Sequence, residues 1–294
     1  MQSKNVYIGV FPPPYGGITV KNVLLCDLIS KQRKLEIINL LGTKHRKKLC
    51  FFSFLRAIYN LCFGRQIIYG LDSKRLKLIM RFHRFFKKSL TKTVVIAMGG
   101  VFPEKVDRSS CLKHCLLDVK VIFVETEGMK TQLEQMGFGN VEIFPNPKPE
   151  KGACEPKKNE TEPLKLVYFS QISEEKGIAD IMQLSALLNH EPSLSYQLDF
   201  YGHIVPTIEE QFMNFIKTTE NVSYQGIFDS TKVDVYKKLN EYDILLFPTH
   251  WTTEGVPGIL VEAKMAGLAV IASAVSHNLE LVREEQNEGV IIRD

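Results

Sequence analysis

Apolar positions follow two alternating patterns along the chain. Nearly unbroken runs at 6–11 (VYIGVF), 93–98 (TVVIAM) and 119–124 (VKVIFV) have the composition of strands buried on both faces of a parallel sheet. Shorter runs at 35–40, 66–70 and 141–144 read as further strands. Between them apolar residues recur every three or four positions, which predicts helices over 19–32, 74–88, 104–115 and 128–136. Residues 145–163 (PNPKPEKGACEPKKNETEP) break this rhythm with five prolines, clustered charge and almost no apolar content, as a linker does.

A second series follows. Strands are expected at 165–169, 197–201, 222–225, 243–247, 268–272 and 289–292, with helices at 177–188, 207–218, 232–240 and from about Pro257 onward. Alternation of strand and helix gives parallel sheets with helical crossovers. At 294 residues the chain also exceeds what one core ordinarily supports. The expected fold is therefore α/β, with two Rossmann-like, doubly wound domains facing a central cleft. The first spans 1–150, the second 164–294, and the linker about 145–163.

The formal net charge of +4 hides an asymmetry. Residues 1–150 hold 25 Lys/Arg against 11 Asp/Glu, a balance of +14, which leaves −10 for the rest. Within 31–92 there are 17 basic residues, opposed only by Glu36 and Asp72. The predicted helix at 74–88 puts Leu76, Ile79, Met80, His83 and Phe86 on one face and crowds Lys77, Arg81, Arg84, Lys87 and Lys88 over the rest. A basic amphipathic segment, here 44–88, suits an anionic membrane surface. A core-facing helix with a solvated basic back is the other reading. No nucleic-acid motif accompanies the charge, so nucleic acid is not an expected partner. No apolar run approaches the length of a membrane span, and the N-terminal residues lack the separate basic and apolar regions of a signal peptide. The expected location is the cytoplasm, with peripheral contact to the inner face of the cell membrane. Six cysteines without a CxxC pair read as reduced thiols. Cys111, His114 and Cys115 share a helical face, but a metal site wants four ligands and no second cluster is visible, so no metal is expected.

Chemistry concentrates at 248–273 (PTHWTTEGVPGILVEAKMAGLAVIAS). A buried strand runs into a polar loop and then into a helix that Pro257 is suited to start. Glu254 falls in the loop and Glu262 about one and a half turns into the helix, roughly 8 Å further along its axis. Between them lie the backbone amides of Val256, Gly258 and Ile259, an anion site at a helix N-terminus. A ligand with a diphosphate in the middle and hydroxyl-bearing sugars at both ends fits this layout, and a nucleotide sugar is such a ligand. His250 and Trp251 either line the sugar pocket or cap the loop. In the first half, Gly16 and Gly17 follow the first strand and permit close approach of backbone to a ligand, although the GxGxxG fingerprint is absent.

These residues together resemble a known family, the retaining glycosyltransferases of GT-B fold, glycosyltransferase family 4. The likeness is carried by FSQISEEKG at 169–177, YGH at 201–203, VSYQGIF at 222–228 and EYDILLFPT at 241–249. Most specific is 248–273, similar to the family's EGFG…EA…G.PVIAS signature, with Glu254 and Glu262 at its E-x7-E spacing. The resemblance implies that Glu254 contacts the hydroxyls of the transferred sugar and Glu262 the nucleotide ribose. It further implies that Lys176 neutralises the diphosphate and is catalytic together with Glu254, while Gly17 approaches the donor from the opposite domain. Gln171, Gly202, Val256, Pro257, Gly258 and Ile259 complete the implied donor site. No metal or organic cofactor is implied, the donor being a nucleoside-diphosphate sugar and the acceptor a glycan or a lipid-linked one in bacterial surface polysaccharide assembly. Three features depart from the family pattern: Gln171 stands where an Arg is common, Met98, Gly99 and Gly100 stand where a His or Asp is common, and the chain stops at Asp294, so its C-terminal end looks shortened. A non-catalytic, nucleotide-binding partner of another transferase is the alternative reading, and a phosphorylase-like enzyme with lysine-bound pyridoxal phosphate a third.

Overall fold

A computed structural model describes residues 5–13, 16–41, 51–62, 66–149, 163–230 and 232–293. Of the basic segment, 44–50 and 63–65 lie outside the described residues, as does 150–162 of the expected linker. The chain divides into two compact units, Met1–Pro149 and Glu150–Asp294.

In the first unit the chain runs β1 (Asn5–Gly9), α1 (Gly17–Gln32), β2 (Leu35–Asn39), α2 (Phe51–Cys62), β3 (Ile67–Gly70), α3 (Ser73–His83) and α4 (Lys87–Leu90). It continues through β4 (Val94–Ile96), α5 (Phe102–Asp107), α6 (Ser110–Leu117), β5 (Val121–Val124), α7 (Glu127–Gln135) and β6 (Val141–Ile143). The second unit opens with β7 (Leu164–Phe169), α8 (Ile178–Asn189), β8 (Tyr196–Tyr201), α9 (Glu209–Thr218) and β9 (Val222–Tyr224). Then come α10 (Val235–Leu239), β10 (Ile244–Phe247), α11 (Gly258–Met265), β11 (Ala269–Ser273), α12 (Asn278–Leu281) and β12 (Gly289–Ile292).

Among the described residues each unit holds one six-stranded sheet, ordered β2-β1-β3-β4-β5-β6 and β12-β11-β10-β7-β8-β9. All the strand pairs are parallel. Both sheets are covered on both faces, which is why their strands read as apolar runs. Side chains alternate across a strand, so Leu245 and Phe247 of β10 enter one cluster with Val167, Val270 and Ala272, whereas Leu246 enters the opposite one with Leu166, Tyr168 and Phe200. In each sheet the chain reverses direction once, between β1 and β3 in the first and between β7 and β10 in the second. Such a reversal opens a crevice outside the carboxyl ends of the two central strands, the usual ligand position in open α/β sheets.

Two predicted helices prove to be broken. The run at 74–88 divides after His83, because the Phe85 and Phe86 amides bond back three residues to the Phe82 and His83 carbonyls (3.2 and 2.8 Å) and tighten the helix end. The run at 104–115 divides at Ser109, whose Oγ accepts from the Leu112 amide (3.4 Å) and so caps α6. Asp72 starts α3 by accepting from the amides of Lys74 (3.0 Å) and Arg75 (3.1 Å). His83 is fully buried as its pattern predicts. The Tyr69 hydroxyl lies 2.9 Å from Nδ1, and burial lowers the imidazole pKa to about 4.

The end of the second sheet is locked by charge. Glu288, just before β12, accepts from Lys264 of α11 (2.8 Å) and from Arg283 Nη2 (2.7 Å). Burial works to raise the carboxyl pKa, but hydrogen bonds from Arg283 and Lys264 outweigh it and leave the group at about 2, against an ordinary 4.5. A carboxyl depressed in the folded state contributes stability above its unfolded value and loses it as pH falls toward the folded one. Glu288→Gln is therefore expected to melt below the wild type at pH 7, with the gap constant down to about pH 4.5 and closing toward pH 2. Thermal melts of both proteins across that range check it; a gap independent of pH would remove the assignment.

Candidate active site

The crevice between β7 and β10 is built by two loops that must lie very close together. Gly177 ends the turn after β7 in a left-handed conformation (φ 76°), and a Cβ there would sit 1.9 Å from the Pro248 carbonyl oxygen. The loops are then stitched along their length. The His250 amide and the Thr249 hydroxyl both reach the Glu175 carbonyl, at 2.9 and 3.3 Å. The buried Tyr168 hydroxyl lies 2.7 Å from the Gln171 carbonyl and 3.2 Å from that of Lys176, so one side chain sets the height of the β7 loop. Gly202, after β8, has φ 150°, and a Cβ on it would meet the Ser170 carbonyl at 1.8 Å. From the other side the loop after β11 joins in: Ser273 Oγ donates to the Thr249 carbonyl (2.5 Å), Ser276 Oγ to that of Glu254 (2.6 Å), and Asn278 Nδ2 to that of Ser273 (3.0 Å).

This framework brings Lys176 and Glu254 together. The Lys176 ammonium donates directly to the Glu254 carboxylate. Their side chains keep only 13% and 21% of their exposure, so the pair is largely withdrawn from water. The ammonium also stands 5.2 Å from the centre of the Trp251 ring and 6.0 Å from that of Phe247, within cation–π range. Beyond Glu254 the chain passes through buried Val256 to Pro257, the N-cap of α11. Gly258 and Ile259 open that helix, and amides in a first turn have no acceptor within their own helix. Val256 makes a contact of its own within the fold. Glu262, half-buried inside α11, lies close enough to Tyr236 of α10 that, after burial, its charge is the next cause lifting that hydroxyl to about 12.

The second unit thus gathers Gln171, Lys176, Gly202, Glu254, Pro257, Gly258, Ile259 and Glu262 around the carboxyl ends of β7, β8 and β10. A cation, a carboxylate and helix amides set side by side suit a ligand that carries phosphate next to hydroxyls.

Residues 163–294 match the family model described as glycosyl transferases group 1. That match lies wholly within the second unit. Solved structures extend the likeness to the whole fold. A lipopolysaccharide outer core galactosyltransferase, WaaB, is 17% identical with a TM-score of 0.69 over 99% of this chain and 86% of its own. Anabaena Alr3699/HepE, solved in complex with UDP, is 13% identical with a TM-score of 0.65 over 99% and 85%. WaaG, a glycosyltransferase involved in lipopolysaccharide biosynthesis, is 16% identical with a TM-score of 0.61 over 99% and 86%. None of the curated proteins is similar enough to count as a match. The fold is GT-B, two Rossmann-like units of parallel sheet and helix.

Other predicted residues take their own places. Gln171 is exposed at the end of β7. Gly17 is the first residue of α1 in the first unit, with nothing within 4 Å of where a Cβ would lie. His250 turns toward α8, its Nε2 2.6 Å from Asp180 Oδ2, and so anchors the loop. Cys111, His114 and Cys115 all lie on α6, where Cys115 Sγ donates to the Met80 carbonyl (3.6 Å) and burial pushes its thiol up to about 11. Among the described residues no three His, Cys, Asp or Glu side chains are arranged to hold a metal. Pattern reading missed Ser276, Tyr168 and Asn278, whose roles come from contacts distant in sequence.

The steric demand at Gly177 is testable by itself. Gly177→Ala adds a left-handed strain of about 1–2 kcal/mol to a backbone clash. A melting temperature lower by at least about 2–4 °C is expected. An unchanged melting temperature would contradict the close approach.

Proposed function

We propose that the chain is a retaining glycosyltransferase that moves a sugar from a nucleoside-diphosphate sugar to a glycan or lipid-linked acceptor, in the assembly of bacterial surface polysaccharide. The observation that carries this reading is the meeting of Lys176 and Glu254 beside the α11 N-terminus at a topological switch point. An ammonium and first-turn amides are suited to the diphosphate, and a carboxylate to sugar hydroxyls. Charge that builds on the departing diphosphate would be met by Lys176 and those amides without a metal. In the proposed transfer the leaving phosphate oxygen accepts the incoming hydroxyl's proton as the new glycosidic bond forms. Glu262 is kept as the ribose contact, and Gly17 as a backbone contact to the donor. The UDP complex of Anabaena Alr3699/HepE supports a nucleoside diphosphate, and the lipopolysaccharide setting of WaaB and WaaG supports the class of product.

A membrane-side acceptor is supported by one surface of the first unit. On α2, Phe52 is 79% exposed, and Leu55 and Tyr59 continue the same outward stripe at helical spacing. Phe54 packs edge-on against Phe82 of α3, and Phe85, 70% exposed, lies just beyond. Exposed Lys77, Arg81, Arg84, Lys87 and Lys88 flank these aromatics, an arrangement suited to lying in an anionic interface. No helix among the described residues is long and apolar enough to cross a membrane. The proposed location is the cytoplasmic face of the cell membrane. The exposed Gln171, in place of a second cation, favours as runner-up a nucleotide-binding partner without turnover of its own.

Transfer of radiolabelled sugar from a panel of sugar nucleotides separates these readings. Glu254→Gln and Lys176→Met are each expected to lower kcat/KM at least about a hundredfold. NMR of the anomeric proton should show the donor configuration preserved. Undiminished transfer by either variant, or an inverted product, would overturn the mechanism. For the surface, Phe52→Ser combined with Lys87→Glu is expected to abolish cosedimentation with phosphatidylglycerol vesicles while leaving the fold intact by circular dichroism. Wild-type levels of vesicle binding would remove the membrane reading.

A further inference from the structure

We infer that Glu254 competes with the donor for Lys176, and that this competition makes the site favour an intact sugar nucleotide over the nucleoside diphosphate that transfer leaves behind. The inference rests on the reading of Lys176 and Glu254 as donor contacts. The pair is built into the site. Glu254 is fixed at both backbone ends, its amide bonded to the Trp251 carbonyl (3.1 Å) and its carbonyl to Ser276 Oγ (2.6 Å). The Lys176 carbonyl faces the buried Tyr168 hydroxyl at 3.2 Å. With both backbones held by these bonds, a ligand that draws the ammonium toward itself leaves the carboxylate without its partner.

The two ligands differ in what they give back. A diphosphate draws the ammonium off the carboxylate in either case. An intact donor then offers sugar hydroxyls, which donate to Glu254 and replace the partner it lost. A nucleoside diphosphate has no sugar at that end, and leaves a carboxylate at 21% exposure unpaired next to a new anion. A half-buried charge without a partner is unfavourable, as is a second negative charge beside it. Once the sugar has gone, the carboxylate takes the ammonium back and loosens the product. Trp251 records the exchange, because it is the single tryptophan of the chain and its ring centre lies 5.2 Å from the ammonium.

Isothermal titration of the full chain with UDP, GDP and ADP tests this, the tightest binder being carried into the variants. Glu254→Gln is expected to bind that nucleoside diphosphate about tenfold more tightly than the wild type, equivalent to about 1.4 kcal/mol, and Lys176→Met at least about tenfold more weakly. Glu254→Ala gives the same gain if the glutamine variant fails to fold. In the wild type, tryptophan emission should change with the same midpoint as the calorimetric titration. Equal or weaker binding by both Glu254 variants, or no emission change on saturation, overturns the competition while leaving Lys176 as the diphosphate cation. Wild-type affinity in Lys176→Met, or no binding of any of the three nucleotides, overturns the donor-site reading and the competition with it.

Discussion

The second unit depends on how closely two loops approach where the strand order reverses. The Pro248 carbonyl occupies the place a side chain at residue 177 would need, and the Ser170 carbonyl does the same at residue 202. Only residues without a Cβ let β7, β8 and β10 end at one level with their loops in contact. The His250 amide then reaches the Glu175 carbonyl, and Lys176 comes to lie against the 251–254 turn. Two such side chains on an open surface would interact by no more than about 1 kcal/mol. With the ammonium set against two aromatic rings and the pair mostly out of water, their pairing becomes a term that a ligand of the proposed site would have to overcome.

Much of this was legible in the sequence, for identifiable reasons. Parallel strands covered on both faces are apolar along their length, so β1, β4, β5 and β10 stand out as runs, and alternation with helices gives the fold class. The eight-residue step from Glu254 to Glu262 and the Lys176-Gly177 pair are local, and local spacing survives without knowledge of the fold. The contact between Lys176 and Glu254 is not local: it spans 78 positions and exists because the Gly177 backbone meets Pro248. Helix ends were missed where tight turns decide, at Phe85 and at Ser109. On α2, apolar residues were visible, but whether Phe52 and Tyr59 pointed inward or outward is settled by which residues pack on the core. Ala57 and Leu61 take that face, and the larger aromatics are left outside.

Each unit reverses its strand order once, and the two fill that switch point with opposite chemistry. In the first, between β1 and β3, Asn22 Nδ2 donates to the carbonyls of Val10 (2.7 Å) and Gly70 (2.9 Å), while its Oδ1 accepts from the Tyr7 hydroxyl (2.6 Å). The residue is fully buried, neutral and satisfied, and it fits because Gly70 has no side chain to displace it. Removing any one bond would strand a buried polar group at about 1–3 kcal/mol, so this centre is a fixed brace. In the second, the crevice holds a charged pair that keeps some exposure, and in the proposed donor site a phosphate would take over one partner while hydroxyls take over the other. A neutral network with every valence filled resists ligands, whereas a pair of opposite charges can be exchanged for them. The same reversal of strand order is therefore braced in one unit and left exchangeable in the other, and the difference rests on which side chains the flanking loops deliver to it.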